Sequence, residues 1–259
     1  MRIALGVEYD GSVFCGWQLQ DHSPSVQAVV ERALSKVANG AVRVICAGRT
    51  DTGVHATEQV IHFDASVERS MHSWVHGANA NLPKEVTILW AMPVSDEFHA
   101  RFSAVGRNYR YVICNRSVRP AFLAGRTTWE YRPLVVERMA AAGENLIGEH
   151  DFTSYRAQGC QAKNPVRSVR QLVVSRRDEL VFIDIEANAF LHHMVRNIAG
   201  VLMAIGAGER PVEWAQQVLQ QRNRSVGGVT SLPHGLYLRH VQYPPQFELP
   251  ARRTSSLIW

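Results

Sequence analysis

The segment from Val42 to Asp64 constrains the fold most tightly, because it reads as strand, glycine-punctuated loop and strand in quick succession. Val42, Val44 and Cys46 alternate with Arg43, Ile45 and Ala47, the period-two pattern of a strand. Gln59-Val60-Ile61-His62-Phe63-Asp64 reads as a second strand. The loop between them, Gly48-Arg49-Thr50-Asp51-Thr52-Gly53-Val54-His55-Ala56, therefore sits on a rigid base, the usual setting for binding and catalytic groups. Asp51 lies two residues from Arg49, whose permanent charge is expected to favour the ionised carboxylate. An ionised Asp serves as a nucleophile or a base, not as an acid. Asp-Thr-Gly is also an ordinary turn sequence and the signature of aspartic proteases, which need two carboxylates sharing one proton. No second Asp-Thr-Gly or Asp-Ser-Gly follows Asp51, and Arg49 would oppose proton sharing.

Around this loop the periodicity alternates between two and 3.6. Ile3, Leu5, Val7 and Tyr9 form a first strand ending in the turn Asp10-Gly11-Ser12. Val26, Val29, Val30, Ala33, Leu34 and Val37 make one helical stripe, with Ser25 as N-cap and Asn39-Gly40 as stop. A short helix is expected near 70–80 and a buried strand over 86–91. A long strand or hairpin follows near 98–114, with Arg107, Tyr109, Tyr111 and Ile113 on one face. Beyond a loop-rich connection, the pattern predicts a helix over 134–146, a hairpin over 166–187 and an apolar helix over 189–205. A last helix over 211–222 and a strand over 235–243 complete it. Each half thus has strands and two helices in similar order, giving an α+β fold with related lobes at 1–105 and 106–243 and a tail at 244–259.

With 46% hydrophobic residues in 259, the chain can build real cores. No run of 18 apolar residues occurs and the N-terminus lacks a signal-peptide core, so a cytoplasmic protein is expected. Cys15, Cys46, Cys114 and Cys160 are scattered, and H-E-x-x-H, Walker A and G-x-G-x-x-G patterns are missing, so no metal, disulfide framework or nucleotide cofactor is expected. His192-His193 is the one histidine cluster, and on a helix adjacent side chains point about 100° apart, a poor chelating geometry. Residues 1–105 carry 8 basic and 11 acidic side chains, whereas 106–259 carry 20 and 12. Of the 28 basic residues, 25 are Arg, suited to phosphate and base contacts, and they gather around 107–132 and 156–177. Arg107, Arg167 and Arg170 are therefore candidate substrate contacts, the last two sharing a strand face only if a bulge intervenes.

Six ordered motifs resemble the TruA family of bacterial tRNA pseudouridine synthases over residues 1 to about 243. They are Tyr9-Asp10-Gly11 with Phe14 and Gly16-Trp17-Gln18; Gly48 to Ala56; Arg107-Asn108-Tyr109-Arg110-Tyr111; Gly148-Glu149-His150-Asp151-Phe152; Phe190-Leu191-His192-His193-Met194-Val195-Arg196-Asn197; and Gly235-Leu236-Tyr237-Leu238. Leu232 before Pro233, where a small residue is expected, and the tail depart from the pattern. The resemblance implies two lobes whose antiparallel sheets join into one extended mixed sheet flanked by helices, with a basic cleft between them. It also implies a homodimer that isomerises uridine at positions 38, 39 and 40 of the tRNA anticodon stem-loop, with no cofactor.

That reaction breaks the C1'–N1 bond, turns the base and joins C5 to C1', so one carboxylate suffices, attacking C1' or C6. The target nucleotide must leave its stack and be held by an aromatic ring. The resemblance assigns Asp51 as nucleophile and Arg196 as its ion-pair partner. Tyr109 stacks on the uracil and offers its phenolic oxygen to the C5 proton, Arg49 fills the stack or meets phosphate, and Leu236 packs beneath the base. A non-catalytic RNA-binding protein or an aspartic protease remain the alternatives.

Overall fold

The computed structural model describes residues 1–250 of the chain. Its centre is a single ten-stranded sheet. The strands are β1 (Arg2–Tyr9), β2 (Ile45–Cys46), β3 (His55–Asp64), β4 (Val86–Val94), β5 (Gly106–Asn115), β6 (Thr128–Glu130), β7 (Gly148–Asp151), β8 (Val166–Arg177), β9 (Leu180–Ala187) and β10 (Leu236–Gln242). They lie in the order β4-β1-β3-β10-β5-β9-β8-β7, with β2 beside β3 and β6 beside β5. The order β4-β1-β3 recurs as β10-β5-β9, antiparallel throughout. The two sets meet where β10 runs parallel to β3, pairing Tyr237 with His55 and Leu238 with Ala56. The fold is therefore α+β with one mixed sheet, as the sequence implied.

The helices are α1 (Val26–Ala38), α2 (Val136–Glu144), α3 (Met194–Gly206) and α4 (Trp214–Gln221), with a π-helical turn at Ser73–Gly77. Ser25 caps α1 by accepting the Ala28 N–H, and Asn39 closes it in the left-handed conformation (φ 51°). Glu31 is buried on α1 because Arg43 (2.7 Å), the Val44 N–H and Gln27 all reach its carboxylate. These bonds and that from Val42 N–H to Ser35 hold residues 42–44 against the helix, so only Ile45–Cys46 of the expected 42–47 strand joins the sheet. Helix α3 is apolar almost all round because it is enclosed, with ten of its thirteen residues buried. It packs on α2, α4 and β5.

Three expectations change. Helix α3 starts at Met194 rather than near 189, because His193 adopts a left-handed conformation (φ 61°) that no helix continues through. The expected 98–114 strand begins only at Gly106, and residues 99–103 form a tight turn. Within the expected tail, Phe247 packs edge-on against Phe98 (5.2 Å), so 244–250 is part of the fold, and 251–259 lies outside the described residues. Among the described residues, no helix is long and apolar enough to cross a membrane.

Candidate active site

The Asp51 loop is clamped between the start of the chain and the start of β10. Gly16 (φ 89°) approaches it so closely that a Cβ there would lie 2.7 Å from the Thr50 carbonyl, which only glycine permits. The Trp17 N–H donates to that carbonyl (3.0 Å), and the Gly53 N–H donates to Phe14 (3.3 Å). Tyr9 meets the Thr50 hydroxyl at 2.8 Å, and Gln59 spans both backbone groups of Gly48. The Phe14, Gly16-Trp17 motif is thus the loop's support. At the far end, buried His55 accepts the Gly11 N–H at Nδ1 (3.1 Å), faces the Gly125 and His234 carbonyls through Nε2, and stacks on Tyr237 (4.6 Å). Burial pushes its pKa down, against the pull of the Asp10 carboxylate 3.2 Å from Nδ1.

The Asp51 side chain is 22% exposed, and three groups from one short segment converge on it. His192 Nε2 stands 3.2 Å from Oδ1, His193 Nε2 3.4 Å from Oδ2, and Arg196 Nη1 3.5 Å from Oδ2. Arg196 is anchored by its Nε–H to the Ser231 carbonyl (2.8 Å), so its guanidinium is fixed before it meets the carboxylate. Arg196, which the resemblance assigns as the ion-pair partner of Asp51, stands within ion-pair distance of it. Burial pushes the His193 imidazole below its usual pKa, against the pull of Asp51. The ligand atoms of Asp51, His192 and His193 lie within 4.8 Å of one another, close enough for a metal ion. Arg196 already supplies positive charge and a hydrogen bond to the oxygen that His193 shares, so the set reads as a polar cage around a carboxylate.

Tyr109 is buried on β5, its ring edge-on to Phe190 (5.0 Å) and its hydroxyl 3.9 Å from where a Cβ on Gly48 would stand. Burial first, and then the charge of Asp51, push its phenol well above the usual pKa, so the hydroxyl is protonated in the resting site. Leu236 is buried at the start of β10 opposite Tyr111. Arg49 is exposed, with no hydrogen-bond or ion-pair partner among the described residues. The permanent positive charge beside Asp51 is that of Arg196.

The other candidate arginines stand elsewhere. Arg107 is buried and donates to four carbonyls, those of Ala47, Arg101, Ala104 and Asn188, so its guanidinium faces backbone rather than substrate. Arg167 donates to Asn164 and Val166 carbonyls, and burial lowers its pKa. Arg170 reaches Gln242 (3.0 Å), the Val105 carbonyl (2.7 Å) and Glu186 (3.6 Å). The bulge that their shared face requires is present, since β8 loses register between Val169 and Gln171. The geometry assumed for His192-His193 was wrong: neither lies within α3, and the left-handed His193 lets both rings reach one carboxylate. Their place in the same motif as Arg196, the residue paired with Asp51 by resemblance, was the available signal.

A tRNA pseudouridine synthase family model matches residues 6–103 and 142–244, blocks that contain Asp51, His192, His193, Arg196 and Leu236. The tRNA pseudouridine synthase A of Nitrosococcus oceani is 60% identical over 259 residues, covering all of both chains. That of Pseudomonas aeruginosa is 58% identical over 252 residues, 97% of this chain and 88% of its own. That of Legionella pneumophila (strain Lens) is 54% identical over 249 residues, 96% of this chain and 95% of its own.

Proposed function

The chain belongs to the tRNA pseudouridine synthase family and isomerises uridine to pseudouridine in tRNA; from that premise we propose that Asp51 is the nucleophile and that the targets are positions 38, 39 and 40 of the anticodon stem-loop. The observation that carries the assignment of Asp51 is the convergence of His192, His193 and Arg196 on its carboxylate. A carboxylate so surrounded is aimed by fixed donors and needs little reorganisation when it reacts. The lobes 1–105 and 106–243 meet at the β3–β10 seam, and the uridine enters between them.

The isomerisation is redox-neutral and uses only groups on this chain. Asp51 attacks C1' as the C1'–N1 bond breaks, or adds to C6 before it; the uracil turns, C5 joins C1', and the bond to Asp51 breaks with its pair returning to the carboxylate. The C5 proton then leaves, its bonding pair restoring the ring. Tyr109 stacks on the flipped base; its phenolic proton passes to the N1 freed from C1', and the phenolate then receives the C5 proton, so no net proton is gained or lost. While Asp51 is esterified its negative charge no longer raises the Tyr109 pKa, so the phenol gives up its proton more easily at the stage when N1 has been freed. Leu236 supports the base from beneath, and exposed Arg49 fills the vacated stack or meets phosphate. His192 and His193 hold the carboxylate in position.

The family resemblance adds a homodimer acting on tRNA in the cytoplasm; light scattering at twice 29.0 kDa tests the first point. The positions are tested with three tRNAs, each carrying C5-tritiated uridine at only 38, 39 or 40. Each should release its label to water, and release from uridines elsewhere alone would overturn the assignment of position while leaving the reaction intact.

A further inference from the structure

The turn 99–103 presents a large apolar ring to solvent beside the catalytic loop. Phe102 is 76% exposed. A single exposed apolar side chain is ordinary, so exposure alone decides nothing. What sets this ring apart is how it is held. One face stacks on the His99 imidazole (4.4 Å, 29°), and the Arg101 guanidinium lies 5.6 Å from its centroid. His99 is itself fixed: its Nδ1 accepts the backbone N–H of Arg101 and of Phe102 (both 3.2 Å), and its own N–H donates to the Ser103 hydroxyl (2.9 Å). Beneath it lies buried His62 (4.9 Å), whose Nδ1 accepts the Ala100 N–H (3.1 Å). A column of three rings thus runs from the core to the surface and ends in Phe102.

The column is registered against the reaction centre by Arg107. Its guanidinium joins the Arg101 and Ala104 carbonyls of the turn to that of Ala47, just before the Asp51 loop, and to that of Asn188, on the segment leading to His192. Arg49 and Arg101 both stand close enough to Cys46 to oppose the rise in its thiol pKa that burial causes. Arg101 lies against the ring and Arg49 is exposed on the loop that Arg107 ties to the turn, and the charge suits an anionic partner.

We propose that Phe102, backed by His99 and flanked by Arg101, is a stacking platform for an unpaired base of the tRNA next to the flipped uridine. A rigid ring loses little freedom on stacking, every base has a face that can use it, and the arginines meet the adjoining phosphates. The proposal rests on the uridine being held at Asp51.

Its test is the full-length enzyme with Phe102→Ala and Phe102→Trp, assayed by tritium release and by equilibrium tRNA binding. Stacking contributes enough that Phe102→Ala should weaken binding and raise KM about tenfold, with kcat at saturating tRNA within about threefold of wild type. Phe102→Trp should restore both. 2-Aminopurine placed beside the target uridine should be quenched by wild type and Phe102→Trp but not by Phe102→Ala. Unchanged affinity in Phe102→Ala, a fall in kcat alone, or a change in oligomeric mass would overturn the platform, the last by assigning the ring to a contact between copies. Tritium release by wild type on the same tRNA separates failure of the platform from failure of the underlying reading.

Discussion

On the α3 side of the Asp51 loop, polar atoms of His192, His193 and Arg196 turn inward and end 3.2–3.5 Å from one carboxylate. On the 99–103 side, the polar atoms of His99 are occupied by backbone and the outermost group is a bare ring. Both sides are rigid, one through the enclosed helix α3 and the other through buried Arg107. They differ in what they leave open. The first is closed on a reacting group, so damage to it should appear in turnover. The second is open to a partner, so damage there should appear in affinity.

The largest effect that sharpens this contrast is expected at Tyr109, on the floor between the two sides. Tyr109→Phe keeps the ring and loses the hydroxyl, so base docking should survive while kcat falls about 10²- to 10⁴-fold, the usual effect of removing one acid–base group. Tyr109→Leu should lose stacking as well. Wild-type turnover in Tyr109→Phe would leave this residue a packing role only.

Arg196→Gln comes next. It removes the charge beside Oδ2, and loss of one preorganised donor is worth about 10²- to 10³-fold in kcat. Affinity for tRNA should stay within about threefold. Loss of affinity at constant kcat would place Arg196 on the binding side and break the comparison.

Salt dependence gives a smaller and more selective readout. Arg49 and Arg101 face outward beside the loop, so Arg101→Gln should shallow the log–log salt slope of tRNA binding by about one unit. Arg167→Gln and Arg170→Gln should shallow it less, because those guanidinium groups already hold the backbone of β8 and β5's approach. Arg32→Gln, on the exposed face of α1 and outside the Asp51 loop and the 99–103 turn, should leave it unchanged. Equal changes at Arg32 and Arg101 would show that the binding surface lies elsewhere.

The smallest effect concerns the ring column. Burial, His99 and Arg2 depress the His62 pKa from 6.5 to about 4. Above 6.5 both folded and unfolded His62 are neutral. Between 6.5 and 4 the unfolded chain takes up a proton that the folded chain refuses, so stability should fall as pH drops through this window and level off below it. His62→Gln should flatten the decline; an unchanged melting profile would remove His62 from the account.

Much of this architecture was legible because it is local. The alternation from Ile3 to Tyr9, the capped stripe of α1 and the isolated Asp51 are each written in a few adjacent residues. What escaped depends on distant segments. Arg107 looked like surface charge on a strand, and only the carbonyls of Ala47, Ala104 and Asn188 converging from elsewhere make it an interior clamp. The insertion of β10 beside β3 joins residues about 180 apart in sequence, a pairing no local periodicity announces. His192 and His193 were misplaced because one left-handed residue changes where both rings point.

The central claim is that the Asp51 carboxylate performs the isomerisation while other groups hold the tRNA. It is tested most directly by measuring tritium release from C5-tritiated tRNA and tRNA affinity together in Asp51→Asn, which keeps size and shape but loses the charge. Release should vanish while affinity stays within a few-fold, since binding comes from phosphate and base contacts. Turnover retained within about tenfold of wild type, a barrier change of only about 1.4 kcal/mol, would contradict the claim.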